Sequence, residues 1–303
     1  MDKEQEFIMK PKVDYCFKEL MQEACVRNGF ISALLALRPE EIQKTELMPT
    51  HLRQMYGEDK LGILDVRVLM SDGTQLDIEI QVAPFLAWPE RSLFYLSKIF
   101  SGQLKVGEPY EGMKKCIHVG ILDFELFGED EEFYSRFHLW EDSRNRLYTD
   151  KFEIHILELP KLRKHDYPES DLLYWAKFFN AERKEEFEAM SEKNEMIDKA
   201  FEKLLNMSAD DLKKQEYEER QKAIRDHEYL MRYNRREGIS EGETRKLISM
   251  VRKKIKKGKL TEMIAEELEE ELKTILPIYE LLSRYPEETD EEIYQRLNRQ
   301  GNH

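Results

Sequence analysis

The chain has 303 residues, room for one sizeable domain and a smaller module, and it is 41% hydrophobic and 36% charged. That balance excludes disorder throughout and implies a globular core beside a long, solvated helical part. A net charge of −14 excludes broad electrostatic adhesion to nucleic acid, which such a chain binds only through a local basic surface or through metal ions that offset its carboxylates.

The opening MDKEQEFIMKPK lacks the apolar run of a signal peptide. The longest apolar stretch, Phe30–Leu37, is interrupted by Ser32 and is far short of the roughly 20 residues of a membrane span. A soluble, cytoplasmic protein without a membrane partner is the expectation. Cys16, Cys25 and Cys116 form no CxxC pair and no cysteine–histidine cluster, so they read as ordinary thiols.

Residues 14–37 have helical spacing in Phe17, Leu20, Met21 and Ala24, with Asp14 as a candidate cap and a break near Asn28-Gly29. A short strand is expected near Lys44–Met48. The sequence then gives ILDVRVLM, the turn SDG and TQLDIEIQV, the clearest local signal in the chain. Pro89–Leu104 reads as a helix with proline in its first turn, and CIHVGILDF (116–124) as a buried strand. FHLW (137–140) and FEIHILEL (152–159) read as two further strands joined around Asn145. Beyond about residue 165 strand-like alternation fades and Glu, Lys, Arg and Leu dominate. The expected organisation is an α/β domain over 1–165 and a helical module over 166–303, serving oligomerisation or DNA contact.

Turn chemistry and strand alternation agree on the hairpin. With Ser71-Asp72-Gly73 as a three-residue loop and Gly73 left-handed, Val66 faces Ile78, Val68 faces Leu76 and Leu64 faces Ile80. These even positions are all apolar and form the core face. A two-residue loop would split the apolar set between faces and is rejected. On the other face Arg67 sits opposite Asp77 as a simple ion pair, Asp65 sits opposite Glu79, and Gln81 follows. Cross-strand neighbours have β-carbons roughly 5 Å apart. Two carboxylates that close repel unless a cation lies between them, and a hard divalent ion suits that need. The plainer alternative is a solvated sheet face carrying a row of Asp, Glu and Gln.

The order Asp65, hairpin turn, Glu79-Ile80-Gln81 resembles the PD-(D/E)XK nuclease core, with Gln in the usual Lys place. More specifically, the chain resembles the Rpn family of recombination-promoting nucleases, also called PD-(D/E)XK family transposases. KVDYCFKEL (12–20), LDVRV, IEIQ, RSLFYLSKIFSGQLKVGEPY (91–110), IHVGILDFELF (117–127) and LELPKL (157–162) resemble the family's segments in order over residues 9–165. The tail KLISMVRKKIKKGKLTEMIAEEL is like the C-terminal region of many members. The resemblance implies a restriction-endonuclease-like mixed sheet flanked by helices, with an α-helical C-terminal module. It also implies a Mg²⁺-dependent DNA endonuclease, with Mn²⁺ as a substitute ion, linked to RecA-independent recombination or to phage defence. Asp65 and Glu79 match the metal-binding acids and Gln81 matches the final Lys, although a neutral Gln cannot act as a cationic phosphate clamp. Double-strand cutting would favour a homodimer or higher oligomer on double-stranded DNA.

Other residues carry two readings each. Asp14 is a third acid near the site or a helix cap. Lys18, one turn on, pairs with Asp14 or reaches a DNA phosphate. Arg91, Tyr95 and Lys98 share one stripe, with Arg91 either clamping the scissile phosphate or lying on a solvated face. Gln103, Gly107 and Tyr110 shape a turn. Histidines 51, 118, 138, 155, 165, 227 and 303 are scattered and read as structural. VRKKIKKGKL (251–260) is the best local basic patch for a DNA backbone, or a solvated face offset by Glu266–Glu271. Thr261–Ala265 suits a helical bundle or dimerisation module better than a helix-turn-helix. Two rivals to an enzyme stand: a DNA-binding or regulatory protein on a degenerate nuclease fold, and a protein-interaction module built on the charged tail.

Overall fold

The computed structural model describes residues 7–42, 44–51 and 64–301. Among these, β1 (Thr45–Met48), β2 (Val66–Met70), β3 (Gln75–Gln81), β4 (Cys116–Leu122), β5 (Tyr134–Glu141) and β6 (Arg146–Glu158) form a mixed six-stranded sheet in the order β1-β2-β3-β4-β6-β5. The β3/β4 and β4/β6 pairs are parallel and the other three antiparallel. Helices flank it, as the restriction-endonuclease-like reading expects.

The hairpin forms as its turn chemistry dictates. Gly73 has φ +89°, and Val66 faces Ile78, Arg67 faces Asp77 and Val68 faces Leu76. Asp72 fastens the turn by accepting the Thr74 amide at 2.8 Å and the Thr74 hydroxyl at 2.9 Å. Leu76, Ile78 and Ile80 are buried, as the core face requires.

The first helix divides elsewhere than expected. The break between α1 (Asp14–Gln22) and α2 (Ala24–Leu35) falls at Glu23, whose backbone is extended, and not at Asn28-Gly29. Gly29 lies inside α2 for a packing reason: a Cβ there would sit 2.6 Å from the Met196 Cβ. Nor is Asp14 a cap. Val13 occupies the cap position, and the Asp14 carboxylate binds Arg220 at 2.9 Å. Past the break, the buried Arg27 of α2 ties the end of α1 to β1, donating to the Met21 carbonyl at 2.7 Å and the Thr45 hydroxyl at 2.9 Å.

The chain divides into two compact units, Met1–Ala223 and Ile224–His303, so the expected boundary at 165 is not where the fold parts. The reason is aromatic packing by α4 (Asp171–Asn180), α5 (Lys184–Ser191) and α6 (Glu195–Ala209). Phe179 of α4 meets Phe17 at 5.6 Å and Phe30 at 5.1 Å, both edge-on. Ser208 accepts the Met9 amide at 3.0 Å, closing α6 onto the N-terminal segment. The even apolar face of the hairpin and these helices therefore share a unit.

In the second unit the end of α7 (Asp211–Ile255) packs with α8 (Thr261–Leu268), α9 (Leu272–Arg284) and α10 (Asp290–Gly301) around Ile248, Val251, Ile264, Ile275, Ile278 and Ile293. This is a helical bundle. The basic run is partly engaged within it: Arg252 binds Asp290 at 2.7 Å, and Lys254 and Lys259 both bind Glu267. Among the described residues no helix is long and apolar enough to cross a membrane.

Candidate active site

Asp65 and Glu79 meet where the β2/β3 ladder ends. Each carboxylate accepts the backbone of the other strand: the Asp65 amide donates to Glu79 Oε1 at 3.0 Å, and the Ile80 amide donates to Asp65 Oδ2 at 3.1 Å. The strand partner of Val66 is Ile78, so the expected register holds as far as Val66. Beyond it the Leu64 amide donates to the Thr50 carbonyl at 3.0 Å and Leu64 clusters with Tyr95, Leu96 and Ile99, so the expected pairing of Leu64 with Ile80 does not form. The two side chains take up backbone donors that the end of the ladder leaves free and fix both acids there.

The mutual repulsion of the two acids is answered differently from the sequence expectation. Side-chain cations meet part of it, one on each remaining oxygen. Lys18 Nζ lies 2.8 Å from Asp65 Oδ1, and Arg91 Nη2 lies 2.8 Å from Glu79 Oε2. Lys18 is 3.8 Å from Asp14, so it leans toward Asp65 and links Asp14 to it. Gln81 donates to the Ala83 carbonyl at 2.9 Å, and its Oε1 lies 3.4 Å from Arg91 Nη1. The Arg91 guanidinium lies over the Phe85, Trp88 and Tyr95 rings at 5.8, 5.7 and 5.2 Å. Asp65, Glu79, Gln81, Arg91 and Lys18 thus form one connected cluster, with Asp14 joined to it through Lys18. Asp14 does not complete a third ligand: among the described residues no group of three His, Cys, Asp or Glu side chains is arranged to hold a metal.

The face that the hairpin presents to this site is not solvated. The helix α3 (Trp88–Ser101) covers it, and Asp77 and Glu79 are 0% and 1% exposed. Burial therefore changes the expected Arg67–Asp77 pair. The Asp77 carboxyl instead bonds His118 Nδ1 at 2.7 Å, with both side chains wholly buried, while Arg67 donates to Gln75 at 2.8 Å. Asp77 and His118 are neighbours in the parallel β3/β4 register, and the Trp88 ring lies 5.8 Å from the His118 ring.

Burial also sets the protonation of this group. It drives the Asp77 carboxyl well above the usual carboxylate range, helped by the nearby Asp65 charge, and pushes His118 down to about 4. Both shifts favour a neutral pair, with the proton on Asp77 donated to His118. Glu79 is pushed up to about 8, chiefly by burial with the Asp65 charge beside it, and the Arg91 charge only partly opposes this. Asp77→Ala should then cost about 1–3 kcal/mol, because it leaves a buried partner unsatisfied, whereas Asp77→Asn should cost less than half as much. An amide donates to a neutral imidazole as the protonated acid does. Urea titrations of the two variants decide it: equal losses would mean that Asp77 is ionised in the fold.

The Asp77–His118 pair escaped the sequence reading, which treated the histidines as scattered. The available signal was a lone histidine in the apolar run CIHVGIL, a strand that must be buried on both faces. A second buried carboxylate, Glu153, gathers His138 at 2.8 Å, His155 at 3.0 Å, Arg136 at 3.1 Å and Lys115. These contacts outweigh burial and hold Glu153 well below the usual carboxylate range. They pin β5 to β6 and bear on stability. The structural reading of His118, His138 and His155 is consistent with these contacts, and His303 lies outside the described residues.

The donor set suits a hard divalent ion. Asp65 and Glu79 offer two carboxylates, the number Mg²⁺ takes when waters and substrate phosphate oxygens complete its shell. Asp65 Oδ1 and Glu79 Oε2, the two oxygens not bonded to backbone, are those held by Lys18 and Arg91. A divalent ion on these oxygens would carry the same charge as the two side-chain cations it displaces, which would then be free for a phosphate.

No curated protein and no solved structure matches the chain. A family model does match, over residues 11–234, and it describes the PD-(D/E)XK nuclease family transposases. It spans the sheet, the acid pair, α3 and the helices that close the first unit, so the chain belongs to the PD-(D/E)XK nuclease family transposases.

Proposed function

We propose that this chain is a Mg²⁺-dependent endonuclease that hydrolyses DNA phosphodiesters, with Mn²⁺ as a substitute ion. The observation that carries the reading is the reciprocal bonding of Asp65 and Glu79 at the end of the hairpin, flanked by Lys18 and Arg91. Asp65 and Glu79 would hold the metal. When bound, the ion polarises the phosphorus–oxygen bond and lowers the pKa of an attacking water.

The remaining work falls to the protein. Arg91 presents a planar fork beside Glu79 and binds a phosphate oxygen in place of that carboxylate. Lys18 supplies a second positive charge on the Asp65 side. Together they provide the cationic character that Gln81 lacks at the motif's usual Lys position. Gln81 is a positioning residue, because its amide is engaged with Arg91 and the Ala83 carbonyl. Asp14 anchors Lys18 from the other side. This local basic pair is what lets a chain of net charge −14 engage DNA. Cutting both strands calls for two such sites, and we take the working form to be a homodimer or higher oligomer serving recombination or defence.

Supercoiled plasmid incubated with the chain and Mg²⁺ tests the reading. Nicking that EDTA stops supports it. DNA binding without any cleavage would instead support the degenerate, regulatory alternative.

A further inference from the structure

Beside the acid pair lies a cavity of about 280 Å³ lined by Phe85, Ala87, Glu90, Arg91, Phe94 and Tyr95. Three of these are aromatic, and Arg91 is shared with the site through its 2.8 Å bond to Glu79. Phe85 is 41% exposed, and the adjoining Leu86 is fully exposed. Phe85 and Leu86 are adjacent exposed apolar side chains that border the cavity and its charged cluster, a setting that suits a ligand.

We propose that this cavity receives an unpaired nucleobase of the DNA strand, next to the phosphate being cut. This deepens the nuclease reading and rests on it. The occupant follows from continuity: a phosphate held between Arg91 and the carboxylates carries its own nucleoside, and the cavity shares Arg91. It also follows from chemistry. A nucleobase offers a flat π-face to the Phe85, Phe94 and Tyr95 rings and to the guanidinium, and Glu90 offers acceptor oxygens to N–H groups on the base edge. Within a duplex that face is stacked and that edge is paired, so the base must be extruded or already unpaired. Leu86 is an apolar side chain of the kind that fills a vacated stack. The substrate class is therefore DNA with a mismatch, gap or single-stranded junction at the cut. Stacking also supplies short-range affinity that does not depend on net charge.

The test uses the full chain with Mg²⁺ and duplex oligonucleotides carrying 2-aminopurine, either unpaired at a one-nucleotide bulge or paired with thymine. The expected result is quenching of the unpaired probe on binding, no change for the paired probe, and tighter binding of the unpaired duplex by about 5- to 150-fold. Phe94→Ala should bring that ratio close to one and abolish quenching, and Phe94→Trp should restore both. Phe85→Ser and Leu86→Ser change exposed side chains and serve if Phe94→Ala fails to fold by circular dichroism. Wild-type chain that leaves the unpaired probe unquenched overturns the proposal. So does quenching that survives Phe94→Ala, or survives both serine variants. If the plasmid is still nicked in those cases, the nuclease reading stands while the base pocket falls. If neither probe binds and the plasmid stays intact, both fall together.

Discussion

Asp65→Asn and Glu79→Gln should each lower Mg²⁺-dependent plasmid nicking by more than about 100-fold, beyond the range seen when a group that only supports a metal ligand is removed. The two substitutions are chosen for what they keep. In Asp65→Asn the side-chain amide still offers an oxygen to the Ile80 backbone N–H, and in Glu79→Gln it still offers one to the Asp65 backbone N–H. The reciprocal bonds that end the hairpin therefore survive. What is lost is negative charge at the two oxygens facing Lys18 and Arg91. Stability should not fall with activity. Glu79 is buried and its charged form is disfavoured, so a neutral amide relieves a burial cost at that position. Thermal melts of the two variants alongside the nicking assay separate chemistry from folding. Nicking at the wild-type rate by both purified variants would remove the acid pair from the mechanism and leave the activity to another site or a contaminant.

Much of this site was legible because the hairpin is overdetermined. Gly73 and Asp72 fix the turn, and the apolar even positions fix the register, so Asp65 and Glu79 had to meet. Alternation says which residues share a face but not what covers that face. The Asp65–Glu79 face was read as polar and open, whereas α3 lies on it, and that burial converts the Arg67–Asp77 surface pair into the Asp77–His118 pair. Lys18 and Arg91 come from helices on either side of the hairpin in sequence, and local spacing carries no information on such contacts. The domain boundary failed for a related reason. Composition changes near residue 165, yet Trp175, Phe178 and Phe179 are core residues of the first unit, and only packing reveals it. Gly29 misled because its lack of a side chain serves close helix packing against Met196 and not a break.

Metal binding should be linked to pH through Glu79. Its folded pKa is raised from the ordinary 4.5 to about 8, so the folded chain binds more protons than the unfolded chain across that window. This group's contribution to the metal-free fold is therefore fully present at low pH and is lost as pH rises from about 4.5 toward 8. A divalent ion needs the ionised carboxylate, so its binding must expel that proton, and its stabilisation of the fold grows over the same range. At an ion concentration about 100 times the high-pH dissociation constant, the expected gain approaches about 3 kcal/mol well above pH 8 and shrinks severalfold toward pH 6 as the carboxyl takes up its proton. Melting curves with and without Mg²⁺ across this range measure it, with Glu79→Gln as the comparison. In that variant the proton and most of the ion's effect disappear together, and the melting temperature becomes nearly indifferent to Mg²⁺ at every pH. An Mg²⁺ gain of the same size at about pH 6 and about pH 8.5, or one that persists in Glu79→Gln, would mean that the ion binds away from this carboxylate. The hydrolytic role assigned to the pair would then lose its physical basis, whatever the nicking assay reports.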